Sequence, residues 1–267
     1  MTESVADGWD CHVHVFDASL KSHGGHYKPV DRTLAEIETI GQARGLGHLV
    51  LIQPSVYGTD NSLMLSALAV DPCRHRGVVV LGDDTTDAEL DGMHALGVRG
   101  VRFNLVSPAG QGVAQMPLFT ALAPRLRRRG WHVQWYNSAA ELPKIAELHR
   151  NSGLTCVLDH LAGFSADVAS DDLAWQAIED LAGQGAWLKL SGWYRLDAKP
   201  PYTELVPQIR RLAGMFGVRL VWGSDWPHTM FSADSLPSYE STWAPVVEAL
   251  GCEAAEVLRM RQPAIYA

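Results

Sequence analysis

Two histidines stand one residue apart in the run 9-WDCHVHVFD-17. Residues two apart on an extended strand share a face, so His12 and His14 turn both imidazoles to the same side. An imidazole pair can bind a divalent metal, polarise a carbonyl or carry a proton near neutral pH. What else reaches that face decides between these uses. Polar residues recur where later apolar runs end: Gln53 and Ser55, Arg102 and Asn104, Tyr136, His160, Ser191 and Asp225. Gathered at one cleft, three histidines, a carboxylate and an arginine could serve a zinc site or an acid–base hydrolytic site. Each also has a plainer use. His160 can hydrogen-bond the backbone, Asp225 can cap the turn in 222-WGSDWPH-228, and Arg102 can sit in a structural ion pair.

Bringing such distant positions together requires a particular scaffold. Short β-rich runs recur at 10–16, 48–54, 77–82, 98–105, 131–136, 154–160, 186–192 and 218–225. Several are almost continuously apolar, as parallel strands covered on both faces must be. Helix-like stretches lie between them. In 31-DRTLAEIETIGQARG-45, Leu34, Ile37 and Ile40 fall at helical spacing. Thr86 with Glu89, and Ser138 with Glu141, have the spacing of a capping box, and Pro143 is tolerable only in a first turn. Further helices are predicted at 61–70, 116–129, 173–183, 203–216, 241–251 and 252–260. Eight alternations, with no GxGxxG after the first strand and no phosphate-loop motif, predict an α/β fold of the (β/α)8 TIM-barrel type. One domain then spans 1–267. In a barrel, the C-terminal strand ends converge on one mouth. His132 starts its strand, at the wrong end for chemistry, and His228 belongs to a loop beside the site.

Composition narrows the partners. The 267 residues are 47% hydrophobic and carry a formal net charge of -8, which argues against nucleic acid or an anionic membrane. The basic run 125-RLRRR-129 reads as a helix face. No basic segment precedes an N-terminal apolar stretch, and no apolar stretch is long enough to cross a bilayer. Cys11, Cys73, Cys156 and Cys252 lack metal-finger spacing, which fits a reducing, cytoplasmic setting.

The segments 10-DCHVHVF-16, 101-VRFN-104, 158-LDH-160 and 221-VWGSDWPH-228 together resemble the amidohydrolase superfamily. More closely they resemble its 2-pyrone-4,6-dicarboxylate lactonase branch. The segments 53-QPSVYGTDN-61, 99-RGVRFNL-105, 130-GWHV-133 and 191-SGWYRL-196 extend the likeness. It implies that His12, His14, His160 and Asp225 stand where metal-dependent relatives hold a divalent ion. Those relatives add a histidine at the end of strand five, where this chain has Tyr136, and many add a bridging carboxylated lysine, which the sequence does not suggest. The lactonase branch works without metal, so the resemblance implies no cofactor. It also implies that Tyr27, Tyr136 and Arg195 hold substrate carboxylates, with Ser55, Arg102 and Asn104 as neighbours.

Ring opening needs water, a base and donors for the carbonyl oxygen. Asp225 is the only inward strand-end carboxylate expected to be placed as base, with His12, His14 and His160 as polarising groups and acid. Two departures bear on the substrate. The lactonase branch has Gly-Arg-Pro after the strand-six histidine, where this chain reads 160-HLAGFS-165, and 104-NLVSPAG-110 lacks the arginine found there in that branch. The expected partner is therefore a small carboxylated lactone or sugar-acid lactone other than the pyrone dicarboxylate. A lactone isomerase, a zinc-dependent hydrolase or decarboxylase, and a non-catalytic small-molecule-binding barrel are the alternatives.

Overall fold

The computed structural model describes residues 6–23, 27–72, 74–110, 116–229, 231 and 233–267. Eight parallel strands follow one another in chain order around one sheet: β1 Gly8–Val13, β2 Leu46–Ile52, β3 Arg76–Val79, β4 Val98–Asn104, β5 His132–Tyr136, β6 Cys156–Leu158, β7 Trp187–Leu190 and β8 Leu220–Trp222. The helices are α1 Leu34–Gln42, α2 Ser62–Val70, α3 Asp87–Ala95, α4 Met116–Arg128, α5 Leu142–His149, α6 Leu173–Gly183, α7 Val206–Phe216, α8 Ala244–Leu250 and α9 Cys252–Met260. This is the (β/α)8 arrangement that the alternation predicts. Cys73 lies outside the described residues; Cys11 and Cys156 are buried free thiols and Cys252 is an exposed one. No described helix is long and apolar enough to cross a membrane.

Local chemistry explains most boundaries. Thr33 with Glu36, and Thr86 with Glu89, form reciprocal capping boxes that satisfy first-turn N–H groups of α1 and α3. Ser138 and Glu141 do the same, but for a 3₁₀ turn at Ala139–Glu141 that leads into α5. A 3₁₀ turn at Thr203–Leu205 precedes α7 in the same way. In both helices the proline, Pro143 or Pro207, occupies the first helical turn, where its missing N–H costs nothing. The helical stretch opened by Ser138 and Glu141, and the helix expected at 203–216, are therefore shorter than the pattern suggests.

Side-chain alternation divides the core into two layers. Leu188 and Leu190 of β7 join Phe103, Trp135, Leu158 and Trp222 in the large apolar layer shared with the helices. The intervening Lys189 points into the barrel, where its ammonium meets the main chain of β1 at Cys11. Trp9, Val50, Val78, Val221 and Tyr266 form a smaller cluster of their own.

The two end strands close the ring at a seam with little regular pairing. Asp225 N–H donates to the His12 carbonyl at 2.9 Å, and His14 N–H donates to the Trp226 carbonyl at 2.9 Å. Below them the buried Asp10 carboxylate ties the same strands. One oxygen accepts from the N–H groups of His12 and Ser224, and the other accepts from the Tyr239 hydroxyl at 2.6 Å. Gly223 makes this approach possible, since a Cβ there would lie 2.4 Å from His12 Cβ and 2.7 Å from its nitrogen.

Gly223→Ala must therefore push β8 away from β1. Overpacking of this kind costs about 1–3 kcal/mol, and the displacement separates His12 on β1 from Asp225 just after β8. Urea unfolding should show that loss; a variant within about 0.5 kcal/mol of the parent would show that the seam yields freely.

Candidate active site

After β6 and β8 the backbone adopts conformations that ordinary residues avoid. Asp225 has φ 60° and His160 φ 46°, both in the left-handed region. Such strain costs of order 1–3 kcal/mol per residue and collects where side-chain aim matters. His160 begins a tight turn after β6, and its ring packs against the end of β7. Gly192 permits this, because a Cβ there would lie 2.2 Å from His160 Nδ1.

Asp225 is fully buried and contacted from both sides. Its Oδ1 lies 3.2 Å from His14 Nε2 and 3.5 Å from His12 Nε2. Its Oδ2 accepts from the Tyr194 hydroxyl at 2.6 Å and from Arg195 Nε at 2.5 Å. Burial alone would raise its proton affinity, but Arg195, together with His160 and the hydrogen bond from His14, holds the carboxyl well below the usual range. The free protein thus carries an ionised carboxylate at its centre. Burial drives His12 well down, with the Lys189 charge adding to it, and lowers His14 and His160, the last to about 3, which leaves His160 neutral.

Among His12, His14 and His160, two ring nitrogens make no hydrogen bond, the buried Nε2 atoms of His12 and His160. One ligand atom each from His12, His160 and Asp225 falls within 4.8 Å of the others. Two lone imidazole nitrogens and a carboxylate fit a divalent ion such as zinc, and they equally fit a carbonyl oxygen or a water. His14 is anchored through Nδ1 to the Ile52 carbonyl at 2.8 Å, and His160 through Nδ1 to Ser191 Oγ at 2.9 Å.

The other expected residues surround this centre. Tyr136 ends β5 with its ring edge-on to His160, at 5.0 Å between centroids, and the guanidinium groups of Arg102 and Arg195 lie over its ring at 5.3 and 5.7 Å. Asn104 donates to Ser55 Oγ at 2.6 Å. Tyr27 packs edge-on against Phe16, and its hydroxyl is pushed up to about 12 by burial, eased by Arg195 and Arg102. Arg102 does take the ion pair left open by the sequence, through Nε to Asp159 Oδ2 at 3.1 Å. His132 is buried at the far end of its strand, and His228 is buried beside Tyr194.

Asp225 is not the only buried strand-end carboxylate. Asp159 lies beneath the centre, where it accepts from Gln134 Nε2 at 3.0 Å and stands 3.4 Å from both Lys189 Nζ and His12 Nδ1. Burial would raise it, but Lys189, His12 and Arg102 hold it well below the usual range. A buried lysine is therefore present after all, on β7, with Gln134 Oε1 accepting from it at 2.8 Å. Lys189, Gln134, Asp159 and Tyr194 carry no role in the sequence-based expectations. The signal for two of them was a polar residue on the inward phase of an apolar strand: Lys189 in 187-WLKL-190 and Gln134 between His132 and Tyr136.

Comparison with known proteins places this geometry in context. The family model described as Amidohydrolase matches residues 9–250. A 2-pyrone-4,6-dicarboxylate hydrolase of Comamonas testosteroni is 31% identical over 233 residues, covering 82% of this chain and 76% of that protein. A 4-sulfomuconolactone hydrolase of Rhizobium radiobacter is 29% identical over 230 residues, covering 83% and 76%. A Pseudomonas putida crystal structure, assigned as a 2-pyrone-4,6-dicarboxylic acid hydrolase, superposes with a TM-score of 0.83 at 34% identity, covering 95% of this chain and 94% of that one.

The buried neutral histidines set the acid limit of the fold. Burial lowers His132 to about 3, and His149 and His228 to about 4, alongside His160. The unfolded chain takes these protons near 6.5, so stability is full above that pH and falls on acidification toward 4. Each histidine contributes a slope of about 1.4 kcal/mol per pH unit in the window. Asp159 and Asp225 have lowered values, so their share is present above the ordinary carboxylate value and is lost only at still lower pH. Urea midpoints should be level above pH 7 and drop from pH 6.5 downward; a midpoint unchanged at pH 5 would contradict the neutral state of these rings.

Proposed function

This chain belongs to the amidohydrolase family, and from that premise we propose that it hydrolyses a small lactone bearing one carboxylate. The observation that carries the reading is an ionised Asp225 beside two imidazole nitrogens that make no hydrogen bond, in a buried centre. A lactone carbonyl placed between His12 and His160 gains two polarising contacts, and a water beside Asp225 gains a proton acceptor. Water oxygen attacks the carbonyl carbon and its proton passes to Asp225. The tetrahedral adduct then collapses, the ring C–O bond breaks, and the departing oxygen takes that proton to give an open hydroxy acid. The histidines hold the carbonyl oxygen while its charge grows.

Arg195 links substrate binding to this step. It keeps Asp225 ionised in the free protein, yet a carboxylate so stabilised is a weak base. A substrate carboxylate competes for the same guanidinium, and whatever share it takes returns proton affinity to Asp225. Arg102 is committed through Nε to Asp159, and the turn at His160–Gly163 brings no arginine. One strong clamp favours one carboxylate over two, because a second buried anion would lack its partner. The ring of Tyr136 and the pair Ser55–Asn104 line the remaining polar wall.

The zinc-dependent reading keeps one observation in its favour, the cluster of His12, His160 and Asp225. These residues would hold the ion, which would polarise the carbonyl and acidify bound water. Against it stand Tyr136 at the strand-five position and Arg195 already compensating the Asp225 charge. The metal-free reading is therefore the one proposed.

Two measurements test it. With a panel of monocarboxylate lactones, NMR should show an open hydroxy acid, and Asp225→Asn should lower kcat by roughly 10²–10⁴ with binding largely kept; a rearranged ring in place of the acid would mean an isomerase, and a variant within threefold of the parent would remove Asp225 as base. Chelator-treated protein should keep its rate and hold well under one equivalent of zinc. Activity that vanishes on stripping and returns with zinc or manganese would establish the metal reading.

A further inference from the structure

Beside the reactive centre lies a cavity of 310 Å³ between the segment after β1 and the segment after β8. Its walls are mostly apolar, with Phe16, Pro29, Val30, Phe231 and Leu236 among them. Val30 and Leu236 are 56% and 38% exposed, so apolar surface is left facing water here. The cavity adjoins the centre directly. Phe16 packs at 6.0 Å from the His14 ring. Phe231 and His228 pack at 5.0 and 6.0 Å from the ring of Tyr194, whose hydroxyl donates to Asp225. Thr229, also in the wall, accepts from Arg195 Nη2 at 3.4 Å. One guanidinium thus touches the catalytic carboxylate through Nε and the cavity wall through Nη2.

We propose that this cavity is a substrate subsite for an apolar substituent, and that the lactone is amphiphilic: one carboxylate at Arg195 and a short hydrocarbon arm on the ring. The inference rests on the lactone-hydrolase reading of the centre. A compact dicarboxylate would leave the cavity unfilled, whereas a carboxylate anchored at Arg195 sets the rest of the molecule beside the Phe231 and Leu236 walls. Lys28 and Arg32 at the same cavity do not oppose the arm, since their alkyl stems can line it while their charges stay in water.

The test uses γ-butyrolactone carboxylates carrying hydrogen, methyl, propyl or pentyl at each free ring carbon in turn. Each methylene buried should raise kcat/KM by about fourfold, which is ~0.8 kcal/mol, until the cavity is full. In Leu236→Asp, at a half-exposed position, the ratio of pentyl to unsubstituted substrate should collapse toward one. The matching cyclopentanone carboxylates, which have no ester to open, report affinity alone by calorimetry. Hydrolysis with no dependence on arm length, or a dependence equally steep in Leu236→Asp, overturns the subsite and leaves the hydrolase reading standing. No hydrolysis, but ketone affinity that climbs with arm length and is lost in Leu236→Asp, supports the subsite and removes the hydrolase reading. No hydrolysis with flat affinity removes both.

Discussion

The contact on which the rest depends is the seam between the first and last strands. Two main-chain hydrogen bonds, His12 with Asp225 and His14 with Trp226, fix the residues that the chemistry needs. The backbone groups that close the barrel belong to the residues whose side chains form the centre, so closure and active-site geometry are one constraint. Asp10 underpins it by accepting from His12, Ser224 and Tyr239, and Gly223 removes the atom that would prevent it. The left-handed backbone at Asp225 is a local cost of turning a carboxylate inward directly after a strand.

Beneath the centre, charge balance does what hydrophobic filling does elsewhere. Lys189 and Arg102 face Asp159, with Gln134 bridging lysine and carboxylate through its two amide atoms. A lone ammonium here would carry a desolvation cost of several kcal/mol. Together these groups form a floor for His12, whose Nδ1 lies 3.4 Å from both Asp159 and Lys189. The imidazole is thereby held from below while its Nε2 makes no hydrogen bond.

The sequence made the barrel legible because eight apolar runs alternate with helical patterns, a signal repeated often enough to survive errors in any one element. It also marked His12, His14, His160 and Asp225, since polar residues closing apolar runs are conspicuous. It did not reveal which charges neutralise one another. Arg102 and Asp159 are 57 positions apart and Arg195 and Asp225 are 30 apart, and pairing at such separations is decided by register around the ring. Lys189 was visible as a charge within an apolar strand, but its meaning depends on Gln134 and Asp159 arriving opposite it. Helix ends differ from the pattern where Pro143 and Pro207 shift the first turn.

The seam also has a temporal consequence. His14 and Asp225 meet across 211 positions of chain. Loop-closure entropy grows by about 0.6 kcal/mol per doubling of length, so joining these strands costs roughly 2 kcal/mol more than joining neighbours some twenty to thirty residues apart. Contacts of such high order form late, after local βα units have gathered. During synthesis the histidines of β1 emerge long before the aspartate that completes them, and they must wait in an open, incomplete ring. The centre is therefore complete only in the closed ring, so its geometry depends on closure in a way that helix content does not.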